Sequence, residues 1–130
     1  MTRILVVDDA QTQRMYYRDV LGRAGYGVDE AIDGIEGLEK ALVDPYDLYI
    51  IDINMRGMDG LSMLRTLRQE DMPQGAVMIV SNETGANVGD AAVSLGANLF
   101  SPKPVRGDLL LAQVRALVGA TRPPERALRP

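Results

Sequence analysis

The apolar run Leu48-Tyr49-Ile50-Ile51, ending on Asp52, constrains this chain more than any other stretch. Its β-branched and aromatic residues suit a strand packed on both faces. A carboxylate where such a strand leaves its sheet is carried by a rigid element and still reaches solvent. Met58-Asp59-Gly60 then closes a loop and opens the next helix. Asp52 is therefore read as a nucleophile, and the rest of the chain as what positions it and balances its charge.

Two further runs have the same character. Arg3-Ile4-Leu5-Val6-Val7 ends in Asp8-Asp9, and Ala76-Val77-Met78-Ile79-Val80 delivers Ser81. Between them the spacing predicts a helix over about 12–24, with Met15, Val20, Leu21 and Ala24 inward, and a weaker strand over Gly27 to Ala31. Asp33-Gly34 is a turn signal. The following helix carries Ile35, Leu38, Ala41 and Leu42 at helical spacing until Asp44-Pro45 stops it. A third helix, about 61–69, turns Leu61, Leu64 and Leu67 inward. A fourth, about 87–95, is weakened by Gly85 and Gly89. Leu99-Phe100-Ser101 is a short fifth strand leading into Pro102-Lys103-Pro104. The last helix, about 107–118, has Leu110, Val114, Leu117 and Val118 on one side.

Strand and helix alternate throughout. That order argues for an α/β domain: a doubly wound, five-stranded parallel sheet with helices on both faces and right-handed crossovers. The three strongly apolar strands belong at its centre. Asp8, Asp9, Asp52, Ser81 and Lys103 all follow strands, so they converge on the carboxyl rim, where such sheets place their sites. Residues 1–119 are read as this one domain. Residues 120–130, with Pro123, Pro124, Pro130 and three arginines, are read as a tail or the start of a linker.

Composition narrows the chemistry. With no Cys and no His, thiol chemistry, imidazole bases and the usual zinc sites are excluded, so a metal would be held by oxygen. A net charge of −4 disfavours a nucleic-acid partner. No apolar run is long enough for a bilayer, which predicts a soluble, cytoplasmic protein that does not engage a membrane.

Asp8, Asp9 and Asp52 in one pocket repel strongly, by about 4 kcal/mol per pair at 4 Å and an effective dielectric near 20. A divalent cation relieves that, and Mg²⁺ suits a few carboxylates with waters and phosphate oxygens. On its own, Asp8-Asp9 reads equally as a cap for the helix behind it. Lys103 is one of only two lysines and stands between two prolines; its charge there can neutralise a transferred phosphoryl group, against the reading of a surface lysine. Ser81 can donate to a phosphoryl oxygen or cap a helix. Phe100 alone reads as a core aromatic.

Taken in order, these motifs resemble the receiver domain of bacterial two-component response regulators, most closely the single-domain chemotaxis (CheY-like) type. The resemblance rests on Ile4 to Asp9, Asp33-Gly34, Asp52 to Met55 with Met58-Asp59-Gly60, Val80-Ser81, and Gly96-Ala97 leading to Phe100 and Lys103-Pro104, over about residues 2–119. It implies a flavodoxin-like (βα)5 fold with strand order 2-1-3-4-5. It implies phosphorylation of Asp52 by a sensor histidine kinase and Mg²⁺ held by Asp9, Asp52 and the backbone carbonyl of Asn54, with Asp8 acting through a water. Lys103 would pair with the phosphoryl group across a cis Lys103-Pro104 bond. Ser81 would swing toward it and Phe100 would move inward. The face made by the fourth helix, fifth strand and last helix would then change partner binding, for a target such as the flagellar motor switch. The protein would be a monomeric signalling switch, not a conventional enzyme.

The chain departs from the family at Arg56, where proline is usual, and at Asn82, where a small residue is usual. Pro102 inside the last strand requires an edge position. Asn54 and Glu83 flank the site and are expected to tune the phosphate lifetime through water access. Two other readings compete. The chain can be the receiver part of a larger regulator or a phosphorelay intermediate. An aspartate-nucleophile phosphatase fits poorly, because Asn54 stands where its general acid belongs and cannot donate that proton.

Overall fold

Alternate residues of the apolar runs separate onto two faces of one sheet. The computed structural model describes residues 1–83 and 86–121. Its elements are β1 (Arg3–Val7), α1 (Gln11–Arg23), β2 (Gly27–Ala31), α2 (Gly34–Val43), β3 (Leu48–Asp52), α3 (Gly60–Gln69), β4 (Ala76–Ser81), α4 (Ala86–Ser94), β5 (Leu99–Pro102) and α5 (Gly107–Thr121). All strand pairs are parallel, in the order β2-β1-β3-β4-β5. The three strongly apolar strands are the central ones, and β5 is an edge, where Pro102 is tolerated.

Leu5, Val7, Tyr49, Ile51, Val77 and Ile79 face α2, α3 and α4 through Leu38, Met63, Leu64, Leu67 and Ala92. Ile4, Val6, Leu48, Ile50, Met78 and Val80 face α1 and α5 through Tyr17, Leu21, Leu110 and Val114. A central strand with helices on both sides has no solvent face, which is why these runs are continuously apolar rather than alternating.

Three of the helices bury the expected Leu21, Leu38, Ala41, Leu64 and Leu67 but differ from the apolar spacing at other positions. In α1 the buried pair is Tyr17 and Leu21; Met15 and Ala24 are exposed. In α2 the buried stripe is Gly34, Gly37, Leu38 and Ala41, and Ile35 and Leu42 are about half exposed. A Cβ on Gly37 would lie 2.8 Å from Met63 Cε and 3.2 Å from Val7 Cγ2. The missing side chain lets α2 close on α3, and that approach, not the count of large apolar residues, decides which face is inward. In α3 Met63 is fully buried, while Leu61 is only half-buried.

Gly89, a poor helix former, has a packing role as well: its Cβ would stand 3.3 Å from the Phe100 ring. The last helix continues to Thr121, past the expected end at Val118. Gly85 and residues 122–130, with the prolines and arginines of the expected tail, lie outside the described residues.

Candidate functional site

Register brings the polar residues to one rim. Val7 pairs with Ile51, Asp52 with Val80, and Ser81 with Pro102. Asp8, Asp52, Ser81 and Lys103 therefore leave adjacent strands at nearly one height. One ligand oxygen from each of Asp8, Asp9 and Asp52 lies within 4.8 Å of the others. Asp8 and Asp52 are buried, and Asp9 is exposed.

Lys103 is the counter-charge of this cluster. Its ammonium donates to Asp8 Oδ2 at 2.9 Å and lies 3.1 Å from Asp52 Oδ1. Its backbone N–H donates to the Ser81 carbonyl at 2.8 Å, which ties the loop after β5 to β4. The Lys103-Pro104 bond is cis, as the resemblance implies. Burial pushes the Asp52 carboxyl above its usual range, and Lys103 only partly draws it back. Burial also works against the Lys103 ammonium, but the hydrogen bond and charge of Asp8, then Asp52, win and hold it above its usual value.

Asp8 also accepts the Ala10 N–H at 2.9 Å. That bond fixes the entry to α1, yet it serves Ala10 itself. The helix has no side-chain cap, so the capping reading of Asp8-Asp9 is not what the geometry shows. Asp33 and Asp59 do cap, accepting from Glu36 N at 2.9 Å and Ser62 N at 2.8 Å. Gly60 closes on the backbone at the end of β3: its N–H donates to the Ile53 carbonyl at 3.0 Å.

Ser81 is fully buried, and its hydroxyl accepts the Glu83 N–H at 3.0 Å, a turn bond rather than a helix cap. Asn54, Arg56, Asn82 and Glu83 are exposed around the opening, and Phe100 is half-buried against α4. Arg56 makes no ion pair with the described residues. A cleft of about 620 Å³ beside Asp9, lined by Asn54, Arg56, Leu61 and Arg65, gives access to the site from the α3–α4 side.

Supporting residues went unseen in the sequence. Arg14 donates to the Asp8 carbonyl at 2.8 Å and pairs with Glu30 at 2.9 Å. Tyr17 packs behind the site, where burial, then the charges of Asp8 and Asp52, push its hydroxyl pKa well up. Tyr16 reaches the loop after Lys103. Only Arg14 carried a readable signal, as a cation in the first turn of the helix that follows the acidic pair.

Residues 4–115 match the model of the response regulator receiver domain. The chain belongs to that family. Receiver domains are phosphorylation-dependent switches of two-component systems, not conventional enzymes; they take phosphate from sensor histidine kinases and bind Mg²⁺ in an acidic pocket. Among curated relatives, the sensor protein EvgS of Escherichia coli is 37% identical over 88% of this chain and 9% of its own length. The response regulators ArlR of Staphylococcus epidermidis and MprA of Mycobacterium leprae are 36% and 35% identical over 91% and 96% of the chain. The chain spans about half the length of those two regulators, 53% and 54%. Among solved structures, the chemotaxis protein CheY4 of Vibrio cholerae is 30% identical with a TM-score of 0.84, covering 90% of this chain and 98% of that one. A CheY-like receiver from Methanospirillum hungatei is 25% identical with a TM-score of 0.88, over 93% and 96%. Among the described residues, no helix is long and apolar enough to cross a membrane.

Proposed function

We propose that Asp52 is the phosphoacceptor of this receiver, and that phosphorylation there changes the α4–β5–α5 face. The observation that carries this is the Asp52 carboxylate at the end of β3, held against Lys103 and beside Asp8 and Asp9. A carboxylate oxygen of Asp52 attacks the phosphorus of a phosphohistidine on a sensor kinase. The P–N bond breaks, the P–O bond of an acyl phosphate forms, and the departing imidazole takes up a proton. Phosphoryl transfer of this kind needs positioning and charge balance more than covalent help.

The acidic pocket fits Mg²⁺, since the side chains clustered there are three carboxylates and the chain has no His or Cys to favour a softer metal. Asp9, Asp52 and the Asn54 carbonyl would hold the ion, with Asp8 further back beside Lys103. When bound, it supplies charge neutralisation for the phosphoryl oxygens. Lys103 supplies the second positive charge and stays with the phosphoryl group after transfer. Ser81 exchanges its turn bond with Glu83 for a bond to the new acceptor oxygens. Phe100, packed on Gly89, follows by moving inward and resets α4.

The output is a protein contact in the cytoplasm by a monomeric domain. The likeness to CheY4 supports a chemotaxis or motility target. A second reading, the receiver part of a longer regulator, is favoured by ArlR and MprA, which this chain matches over about half their length.

The test is intact mass after incubation with Mg²⁺ and acetyl phosphate. The wild type is expected to gain one labile phosphoryl group and Asp52→Asn none. Equal gain in both would move the acceptor away from Asp52. A second expectation concerns Glu83, whose side chain is exposed at the opening: Glu83→Ala changes the rate of phosphate loss and leaves Mg²⁺ affinity nearly unaltered. An unchanged lifetime removes Glu83 from water control.

A further inference from the structure

We propose that Tyr16 is a positioning residue for Lys103, holding the loop between β5 and α5 at the setting that lays the ammonium across Asp8 and Asp52. The inference rests on the reading that Lys103 and Asp52 carry the reaction. Tyr16 lies in α1, and its hydroxyl donates to the Val105 carbonyl at 2.6 Å, across 89 residues of sequence. Val105 is buried and stands two residues beyond Lys103.

The loop needs such a clamp because of its composition. Pro102 and Pro104 have no N–H, so the backbone on either side of Lys103 cannot donate to a neighbour. The Lys103 N–H on the Ser81 carbonyl is one fixed point, on the β4 side. The Tyr16 hydroxyl on the Val105 carbonyl is the other, on the α1 side. Between them the chain path of Lys103 is pinned at both ends. This matters for lysine in particular. Its four-carbon stem carries about 2 kcal/mol of rotamer entropy, so a displaced backbone lets the ammonium wander. Here it must meet two carboxylates, at 2.9 and 3.1 Å.

The clamp also sits on the right support. The helix that carries Tyr16 begins at Gln11, one residue beyond the acidic pair, and Asp8 accepts the N–H of Ala10, the residue that leads into it. Asp8 and the lysine loop are thus referred to the same rigid element, which keeps their separation constant. The neighbouring Tyr17 differs: it is buried in the core behind the sheet, and the two rings pack tilted at 5.7 Å. Tyr16→Phe keeps that ring contact and removes only the hydroxyl.

A matched control separates positioning from ordinary stability. Tyr46 donates a similarly short hydroxyl bond, 2.7 Å to Asp29 Oδ2, at the end of the sheet opposite Asp52. Tyr16→Phe and Tyr46→Phe are compared for urea stability, for the initial rate of phosphoryl uptake from acetyl phosphate at saturating Mg²⁺, and for the NMR signal of the Lys103 ammonium in metal-free protein. Both variants are expected to lose similar stability. Only Tyr16→Phe is expected to slow uptake, by about tenfold, since small misplacements of a reacting group are costly. Only Tyr16→Phe should broaden the Lys103 signal. Wild-type uptake and an unaltered Lys103 signal in Tyr16→Phe would overturn the inference, as would equal slowing by both variants. If the wild type takes up no phosphoryl group at Asp52, the functional reading above fails, and the metal-free Lys103 signal still decides whether Tyr16 positions it.

Discussion

Gly60→Ala is expected to destabilise the protein by about 3 kcal/mol and to abolish phosphoryl uptake in whatever fraction folds. A Cβ at this position would stand 2.2 Å from the Asp52 carbonyl oxygen, 2.8 Å from its carbon and 2.9 Å from Ile53 Cα. All three are backbone atoms, so no flexible side chain can swing aside. Retreat of α3 is opposed from two directions. The Gly60 N–H is bonded to the Ile53 carbonyl, and Met63, Leu64 and Leu67 fix the helix to the sheet. The added methyl group must therefore push the Asp52 peptide, and the carboxylate moves with it. Gly22→Ala in α1 is the contrast, because a Cβ there meets nothing within 4 Å. It is expected to gain up to about 1 kcal/mol from helix propensity. Urea unfolding of both variants, with intact mass after acetyl phosphate treatment, checks the pair. A Gly60→Ala protein as stable as the wild type would show that α3 yields freely and that the glycine is not there for close approach.

What the sequence made legible follows from burial. A strand covered on both faces must be continuously apolar, so β1, β3 and β4 stood out, and the first polar residue after each marked the rim. That logic alone brought Asp8, Asp9, Asp52 and Ser81 together. Alternation of elements implied a parallel sheet, whereas the order β2-β1-β3-β4-β5 came only with the family resemblance. The helices were less readable, because a single apolar spacing allows several faces. Ile35 and Leu42 suit the inward side of α2 as well as Leu38 does; Gly37 decides against them by letting Met63 in, and no spacing rule sees a contact with a residue 26 positions away. Pairings across long separations were also hidden. Lys103 was read as the partner of a transferred group, but a buried ammonium must be satisfied beforehand, and Asp8 and Asp52 do that. The Ser81 bond to Glu83 N is not the helix cap that serine also suggests, since a turn of this kind depends on backbone placement that side-chain identity leaves open; the hydroxyl only accepts in it, and its proton stays available to donate.

Lys103→Met is expected to cost about 3–5 kcal/mol of stability in metal-free buffer at neutral pH, and to make stability strongly dependent on Mg²⁺. The side chains of Lys103, Asp8 and Asp52 are only 9%, 2% and 7% exposed, so solvent does little to screen them. Methionine keeps the length of the stem and removes the charge. Two carboxylates with oxygens within 4.8 Å of each other then repel by at least about 3.5 kcal/mol at an effective dielectric near 20. Both also lose a charged donor. Asp52 responds by taking up a proton more readily. Its carboxyl already lies above the usual range because of burial, and Lys103 is what draws it down. A group with a raised folded-state pKa binds more protons when folded than when unfolded. The metal-free variant should therefore regain stability as pH falls from neutrality through that raised pKa, with no further gain below the ordinary carboxylate value of 3.8. Mg²⁺ offers the other relief: at about a hundred times its dissociation constant it returns about 2.7 kcal/mol to any protein that binds it only when folded. The affinity itself should rise in Lys103→Met, because the ammonium no longer offsets the acidic cluster. Adding Asp8→Asn to Lys103→Met removes one of the repelling charges, and the double variant should recover part of the loss; that coupling is the signature of a shared charge site. Urea titrations with and without Mg²⁺, on both single variants and the double, measure each quantity. Wild-type stability for Lys103→Met in metal-free buffer, with no response to Mg²⁺, would show that the ammonium does not balance the acidic cluster and that the pocket is relieved in some other way.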